Sequence, residues 1–141
     1  MAKISRAVFK YVEHELYNLP QTMKDIEDQR DSILYGTAQA ENGGRPPGCI
    51  SDTTGSKAVQ LLSSPALVRM ERVVYAANLA LDLLSSQHRD VYRMKYELRF
   101  STERICMEIP CSPATYYRYR RDLVEMVAEK MGFCVGEKFF E

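Results

Sequence analysis

Between positions 36 and 56 the chain holds five of its seven glycines and the pair Pro46-Pro47. Neither a helix nor a strand readily runs through such a stretch, because glycine loses the most backbone freedom on ordering and proline lacks the N–H that either ladder uses. The stretch reads as a linker, flexible where glycine and serine dominate and stiffened toward polyproline II at the two prolines. A chain of 141 residues is then expected to divide into a short N-terminal unit, residues 1–35, and a larger module, residues 57–132, with a tail at 133–141. Gly43, Gly44 and Gly48 are not spaced as a Walker phosphate loop, and no strand precedes them.

On both sides of the linker apolar residues recur at steps of three and four, the helical period, and no convincing alternation marks a strand. Val8, Tyr11, Val12 and Leu16 outline a first helix that ends near Tyr17, because Pro20 disfavours helical geometry in the residue before it. Thr22 opens a second run with Met23, Ile26, Ile33 and Leu34 near one face and Asp25, Glu27 and Asp28 near its start, where the helix dipole favours anions. These two helices are expected to pair as an antiparallel hairpin. After the linker, residues 57–62 read as a short helical turn. Ser64-Pro65 supplies an N-cap followed by proline at the first helical position, and Leu67, Met70, Val73, Val74, Ala77, Leu81 and Leu84 continue one broad apolar face. Ser85-Ser86 stops that helix and caps another over 88–98. The fold class is all-α, and the segment from about Ser56 to Lys130 is expected to stand as a stable module without the hairpin.

The 45% apolar and 27% charged composition is that of an ordinary globular chain. Nineteen basic and nineteen acidic side chains cancel, so only their distribution points to a partner. Residues 10–31 carry three basic against six acidic side chains, a net of −3 unsuited to phosphate. Residues 88–121 carry eight basic against four acidic, a net of +4. No apolar run approaches a membrane span, and the first ten residues lack a signal core, so a cytoplasmic protein with no membrane partner is expected. The four cysteines form no C-x-x-C pair and have only His14 and His88 as imidazole partners, which excludes the usual metal spacings. Free thiols are expected, with Cys106 and Cys111 as small core fillers, since a disulfide between them would bridge a five-residue offset in a reducing compartment. No nucleophile–base pair can be assembled from spacing, so no catalytic residue, metal or cofactor is assigned and the chain is not expected to be an enzyme.

The basic segment also carries the most specific pattern. A short helix opens at Phe100-Ser101 and holds Ile105, Cys106 and Ile109; Pro110-Cys111-Ser112 breaks it; Ser112 and Pro113 then cap and start a second helix that runs to about Lys130 and stops at Gly132. At 100° per residue Tyr116, Tyr119, Leu123 and Val127 share one side, while Ala114, Thr115, Tyr117, Arg118 and Arg121 lie mostly on the other. Such an arrangement over about 101–130 is that of a helix-turn-helix, in which the N-terminal residues of the second helix meet base edges in the major groove of double-stranded DNA. The candidate DNA-binding residues are Ser112, Ala114, Thr115, Tyr117, Arg118, Arg120 and Arg121, with Arg104 on the helix before.

The segment Glu103-Arg-Ile-Cys-Met-Glu-Ile-Pro-Cys-Ser-Pro-Ala-Thr-Tyr-Tyr-Arg-Tyr-Arg-Arg121 resembles the helix-turn-helix of sigma-factor region 4. The order of pieces along nearly the whole chain is similar to the phage late transcriptional regulators of the RinA/ArpU type: Glu13-His-Glu-Leu-Tyr-Asn-Leu-Pro20, an acidic helix ending Asp31-Ser-Ile-Leu-Tyr35, Ser51-Asp-Thr-Thr-Gly-Ser-Lys-Ala58, and then the sigma-like module. The resemblance implies a phage- or prophage-encoded DNA-binding activator of late genes in a bacterial cytoplasm, with RNA polymerase as a further partner. It places Ser112, Thr115, Tyr117, Arg118 and Arg121 on the recognition surface. Pro110 and Cys111 depart from the glycine or polar residue and the aliphatic residue often found there. A homo-oligomer, in the simplest case a dimer, is expected, because one short recognition helix buries too little for tight specific binding. Two other readings remain open at this point: a small terminase subunit that marks phage DNA for packaging, and a helical interaction protein that binds no DNA.

Overall fold

The computed structural model describes residues 4–35 and 53–133, and all its regular elements are helical. They are α1 (Arg6–Tyr17), α2 (Leu19–Tyr35), α3 (Thr53–Ser63), α4 (Pro65–Leu83), α5 (Ser86–Tyr92), α6 (Thr102–Glu108) and α7 (Pro113–Lys130). Arg93–Glu97 continues α5 as a turn of wider, π-type winding. Serines set four of the starts: the hydroxyls of Ser5, Ser64, Ser101 and Ser112 accept from the backbone N–H of Val8, Leu67, Arg104 and Thr115 at 3.2, 3.4, 3.3 and 3.2 Å. α7 stops where a glycine permits it. Gly132 has φ 95, and the N–H groups of Gly132 and Phe133 turn back to the carbonyls of Glu129 and Ala128 at 3.1 and 2.9 Å. No helix of the described residues is long and apolar enough to cross a membrane.

The described residues group into two units, one running to Pro20 and resuming at Val73, the other between Gln21 and Arg72. In the first, Val12 and Leu16 of α1 join Leu19, then Val73, Ala77 and Ala80 of α4, Tyr92 and Tyr96, and Leu123, Val124, Val127 and Ala128 of α7 in one buried core. A second, smaller core gathers Val91, Ile105 and Tyr116 beneath Met94, Phe100, Cys106, Ile109, Cys111 and Tyr119, and so joins α5, α6 and α7. In the other unit Ile26 and Leu67 are buried, the Lys57 ammonium donates to the Leu34 carbonyl near the end of α2 at 2.6 Å, and Arg30 pairs with Glu71.

One carboxylate fastens α1 to the first unit. Glu13 Oε2 accepts from Arg120 Nε at 2.7 Å and from the Tyr96 hydroxyl at 2.8 Å, while Oε1 accepts from Arg120 Nη2 at 2.8 Å. The Arg120 guanidinium also lies 5.2 Å from the centre of the Phe9 ring. Burial alone would raise the Glu13 pKa, but the bonds from Arg120 and Tyr96 outweigh it and hold the carboxyl below its ordinary range. Burial and the same carboxylate push the Tyr96 hydroxyl far above the usual phenol range, which keeps it a donor.

Several expectations need correction. α1 is not half of a self-contained N-terminal hairpin, because Val12, Leu16 and Glu13 are committed to α4, α7 and the end of α5. For the same reason the segment beyond Ser56 does not hold the whole of its own core. α2 starts at Leu19 rather than Thr22, since Pro20 falls in the first turn, where the missing N–H has no intrahelical partner to lose. Helix α3 begins at Thr53, inside the expected linker; positions 36–52, most of the linker, lie outside the described residues, as does the tail after Phe133.

Leu16→Ala is expected to cost about 2–5 kcal/mol of stability in urea unfolding of the full chain. A fragment beginning at Ser56 should unfold at lower denaturant than the parent; equal midpoints would show that α1 is dispensable. Because the folded pKa of Glu13 lies below the ordinary carboxyl value of 4.5, the stability it contributes is present above that value and lost as pH falls through the folded one. Unfolding free energy of the parent should therefore drop on acidification below pH 4.5, and Glu13→Gln should flatten that dependence while lowering stability at neutral pH.

Candidate nucleic-acid interface

α7 carries two chemically different faces because its sequence places them out of phase. Tyr116, Leu123 and Val127 are buried and Tyr119 half-buried, as the periodicity predicts. Ala114, Tyr117, Arg118 and Arg121 follow one another at steps of three, one and three, and all four are exposed, with Tyr117 at 48%. Ser112 is exposed at the cap, and its hydroxyl lies 3.0 Å from that of the half-buried Thr115. These two hydroxyls stand at the helix start, where the dipole favours an anion, with the Thr115 N–H taken by the Ser112 hydroxyl.

The side chains on the open face differ in how firmly they are held. Tyr117 stands edge-on to Tyr116 with ring centres 5.2 Å apart, so a buried tyrosine steadies an exposed one. The Arg118 guanidinium lies 5.9 Å from the Tyr119 ring centre. Arg121 has no ion pair or ring contact among the described residues. Arg104 belongs to α6, where its guanidinium sits 3.7 Å from the centre of the Phe100 ring, a cation–π contact made by an otherwise exposed side chain.

Arg120 does not belong with them. Sequence reading counts it among the DNA-binding residues, but it faces α1, is bound through two nitrogens by Glu13, and that pairing raises its pKa further. Other cations of the basic segment are likewise spent on the fold. Arg89 donates to the carbonyls of Leu81 and Leu84 at 3.2 and 3.0 Å, capping the end of α4. Lys95 and Arg99 lie 5.5 and 5.2 Å from the Tyr17 ring centre. Arg120, Arg89, Lys95 and Arg99 are thus engaged with α1, with the end of α4 and with Tyr17. Among the described residues Arg104 and Arg118 touch only the aromatic rings of Phe100 and Tyr119, and Arg93, Arg104, Arg118 and Arg121 are all exposed.

A tie that the sequence analysis missed fixes the start of α5 to α7. His88 Nε2 donates to Asp122 Oδ2 at 3.1 Å, the Ser85 hydroxyl lies 2.6 Å from Nδ1, and the Tyr119 ring meets the imidazole edge-on at 4.9 Å. Only its local half left a signal in the sequence: serine at an N-cap with a polar side chain three residues on is the spacing of a reciprocal cap, whereas the bond to Asp122 spans 34 positions. Here His88 takes the serine hydroxyl in place of the backbone N–H, which the Ser85 side chain does not bond. Among the described residues no group of three or more His, Cys, Asp or Glu side chains could hold a metal ion.

No protein-family model, curated protein or solved structure matches this chain. The division of α7 into a bound and an open face can be tested directly. Arg120→Ala should cost about 1–3 kcal/mol of stability, because it strands the half-buried Glu13 carboxylate. Arg121→Ala should stay within about 0.5 kcal/mol of the parent in the same unfolding measurement. Equal effects would mean that the two faces are not distinct.

Proposed function

We propose that this chain is a sequence-specific DNA-binding transcriptional regulator, in which α6 and α7 act as a helix-turn-helix and the open face of α7 enters the major groove. The observation that carries the reading is the exposed set Ala114, Tyr117, Arg118 and Arg121 over the first turns of a helix whose opposite face is buried. An arginine so placed can bond guanine O6 and N7 together, and tyrosine offers a hydroxyl and an apolar ring to neighbouring bases or phosphates. Ser112, Thr115 and the start of α7 suit a phosphate, and the exposed Arg104 of α6 adds charge to the same module. Arg120 is left out of this set because it holds the fold. In line with the resemblance to RinA/ArpU-type regulators, the DNA is the control region of phage late genes, the effect is activation with RNA polymerase as partner, and the protein binds as a homodimer over two half-sites.

Fragments of phage DNA retained by the purified protein should map upstream of late promoters; recovery of packaging sequences instead would favour a terminase role. Arg118→Ala should leave the melting temperature unchanged and cost about 1–3 kcal/mol of discrimination at one base position. With about four phosphate contacts per protomer, log K should fall against log salt with a slope of about −3 to −4 per protomer. A flat salt response, or parent-like binding by Arg118→Ala and Arg121→Ala to every DNA tested, would overturn the reading.

A further inference from the structure

Cys106 lies in α6, and Cys111 lies in the turn that follows, one residue ahead of the Ser112 cap of α7. Five positions separate them in sequence, but the Cys111 N–H turns back to the Cys106 carbonyl at 3.4 Å, folding the residues between into a single turn. Both side chains lean on the small core of Val91, Ile105 and Tyr116, both are free thiols, and neither is fully buried. The offset that argues against a disulfide in the linear sequence is therefore removed by the fold. A disulfide needs Cα atoms about 4.4–6.8 Å apart, and a turn closed by such a backbone bond brings its ends to that order of separation.

We propose that Cys106 and Cys111 are a redox-active dithiol, a site that reduces small-molecule disulfides and in doing so closes an intrachain disulfide across the α6–α7 turn. Burial and the neighbouring Cys111 sulfur raise the Cys106 pKa, which suits Cys106 to the second, resolving step. The Cys111 thiolate displaces one thiolate from the small disulfide and becomes a mixed disulfide. Cys106 then loses its proton to solvent and attacks the Cys111 sulfur, expelling the second thiolate. Two protein thiols are oxidised by two electrons, and one small disulfide is reduced to two thiols. The new bond staples α6 to the residue before the α7 cap, so the oxidation state of the pair is felt at the start of α7.

The test uses oxidised glutathione on the full chain and does not depend on DNA. Cys106 and Cys111 share one tryptic peptide, residues 105–118, so closure appears as that peptide lighter by two hydrogen atoms, inert to iodoacetamide, and restored by dithiothreitol. The same product is expected when Cys49 and Cys134 are both serine, and Cys106→Ser should trap one glutathione on Cys111. Stable glutathione adducts on both cysteines, a disulfide joining two copies of the chain, or two thiols still open to iodoacetamide when the native chain is oxidised first and denatured only for alkylation would each overturn the proposal.

Discussion

The Glu13 carboxylate is the point on which the arrangement of the first unit turns. Three donors converge on its two oxygens, two from Arg120 and one from Tyr96, and they come from α7 and from the last turn of α5. Apolar packing is tolerant of small rotations, whereas a bidentate guanidinium–carboxylate pair is not. The pair therefore fixes the rotation of α7 about its own axis. With Arg120 turned toward α1, residues 114, 117, 118 and 121 fall about 60–160° around the helix from it, on the side away from the buried Tyr116, Leu123 and Val127. The open face is as much a product of what α1 binds as of what α7 exposes.

Where the sequence was legible, the reason is local chemistry. Ser112-Pro113 and Gly132 place both ends of α7 by capping alone, and Ser64-Pro65 does the same for the start of α4. The buried positions Tyr116, Leu123 and Val127 follow from helical phase. Contacts between distant residues left no such trace. Glu13 and Arg120 are 107 positions apart, and each reads in sequence as one more charge on an amphipathic helix. A glycine-rich stretch was equally misleading about partnership, since a break in the chain says where two segments separate along the backbone and nothing about whether they meet again in space. Charge counting failed for a related reason: it gave the 88–121 segment its excess of cations but not their orientation, and Arg89, Lys95, Arg99 and Arg120 turn out to be occupied by carbonyls, a tyrosine ring and a carboxylate.

The two cores divide the labour of α7. Its second half, from Leu123 to Ala128, lies in the large core with α1 and α4, while its first turn, through Tyr116, lies in the small core with α5 and α6. The His88–Asp122 tie sits between the two. Under the proposed function this separates the region that gives the helix its stability from the region that meets the ligand. It also explains how the small core tolerates two cysteines, which are modest fillers, at a place where stability is drawn mainly from elsewhere.

The wide turn at Arg93–Glu97 bears on how chains of this kind can vary in length. A π-type turn spends one more residue per hydrogen-bonded ring than ordinary helix, and here the Leu98 N–H reaches back five positions to the Arg93 carbonyl. The extra residue is absorbed without breaking the helix, between Val91 in one core and Tyr96 in the other. Elsewhere in α5 or α7 an added or missing residue would rotate every side chain after it by about 100° and carry the buried set into water. At 93–97 a deletion has a surplus to consume, leaving Phe100 and α6 in phase. An alignment of related chains would thus place its gaps within that turn, making it the seam at which this helical unit can gain or shed a residue while keeping both cores.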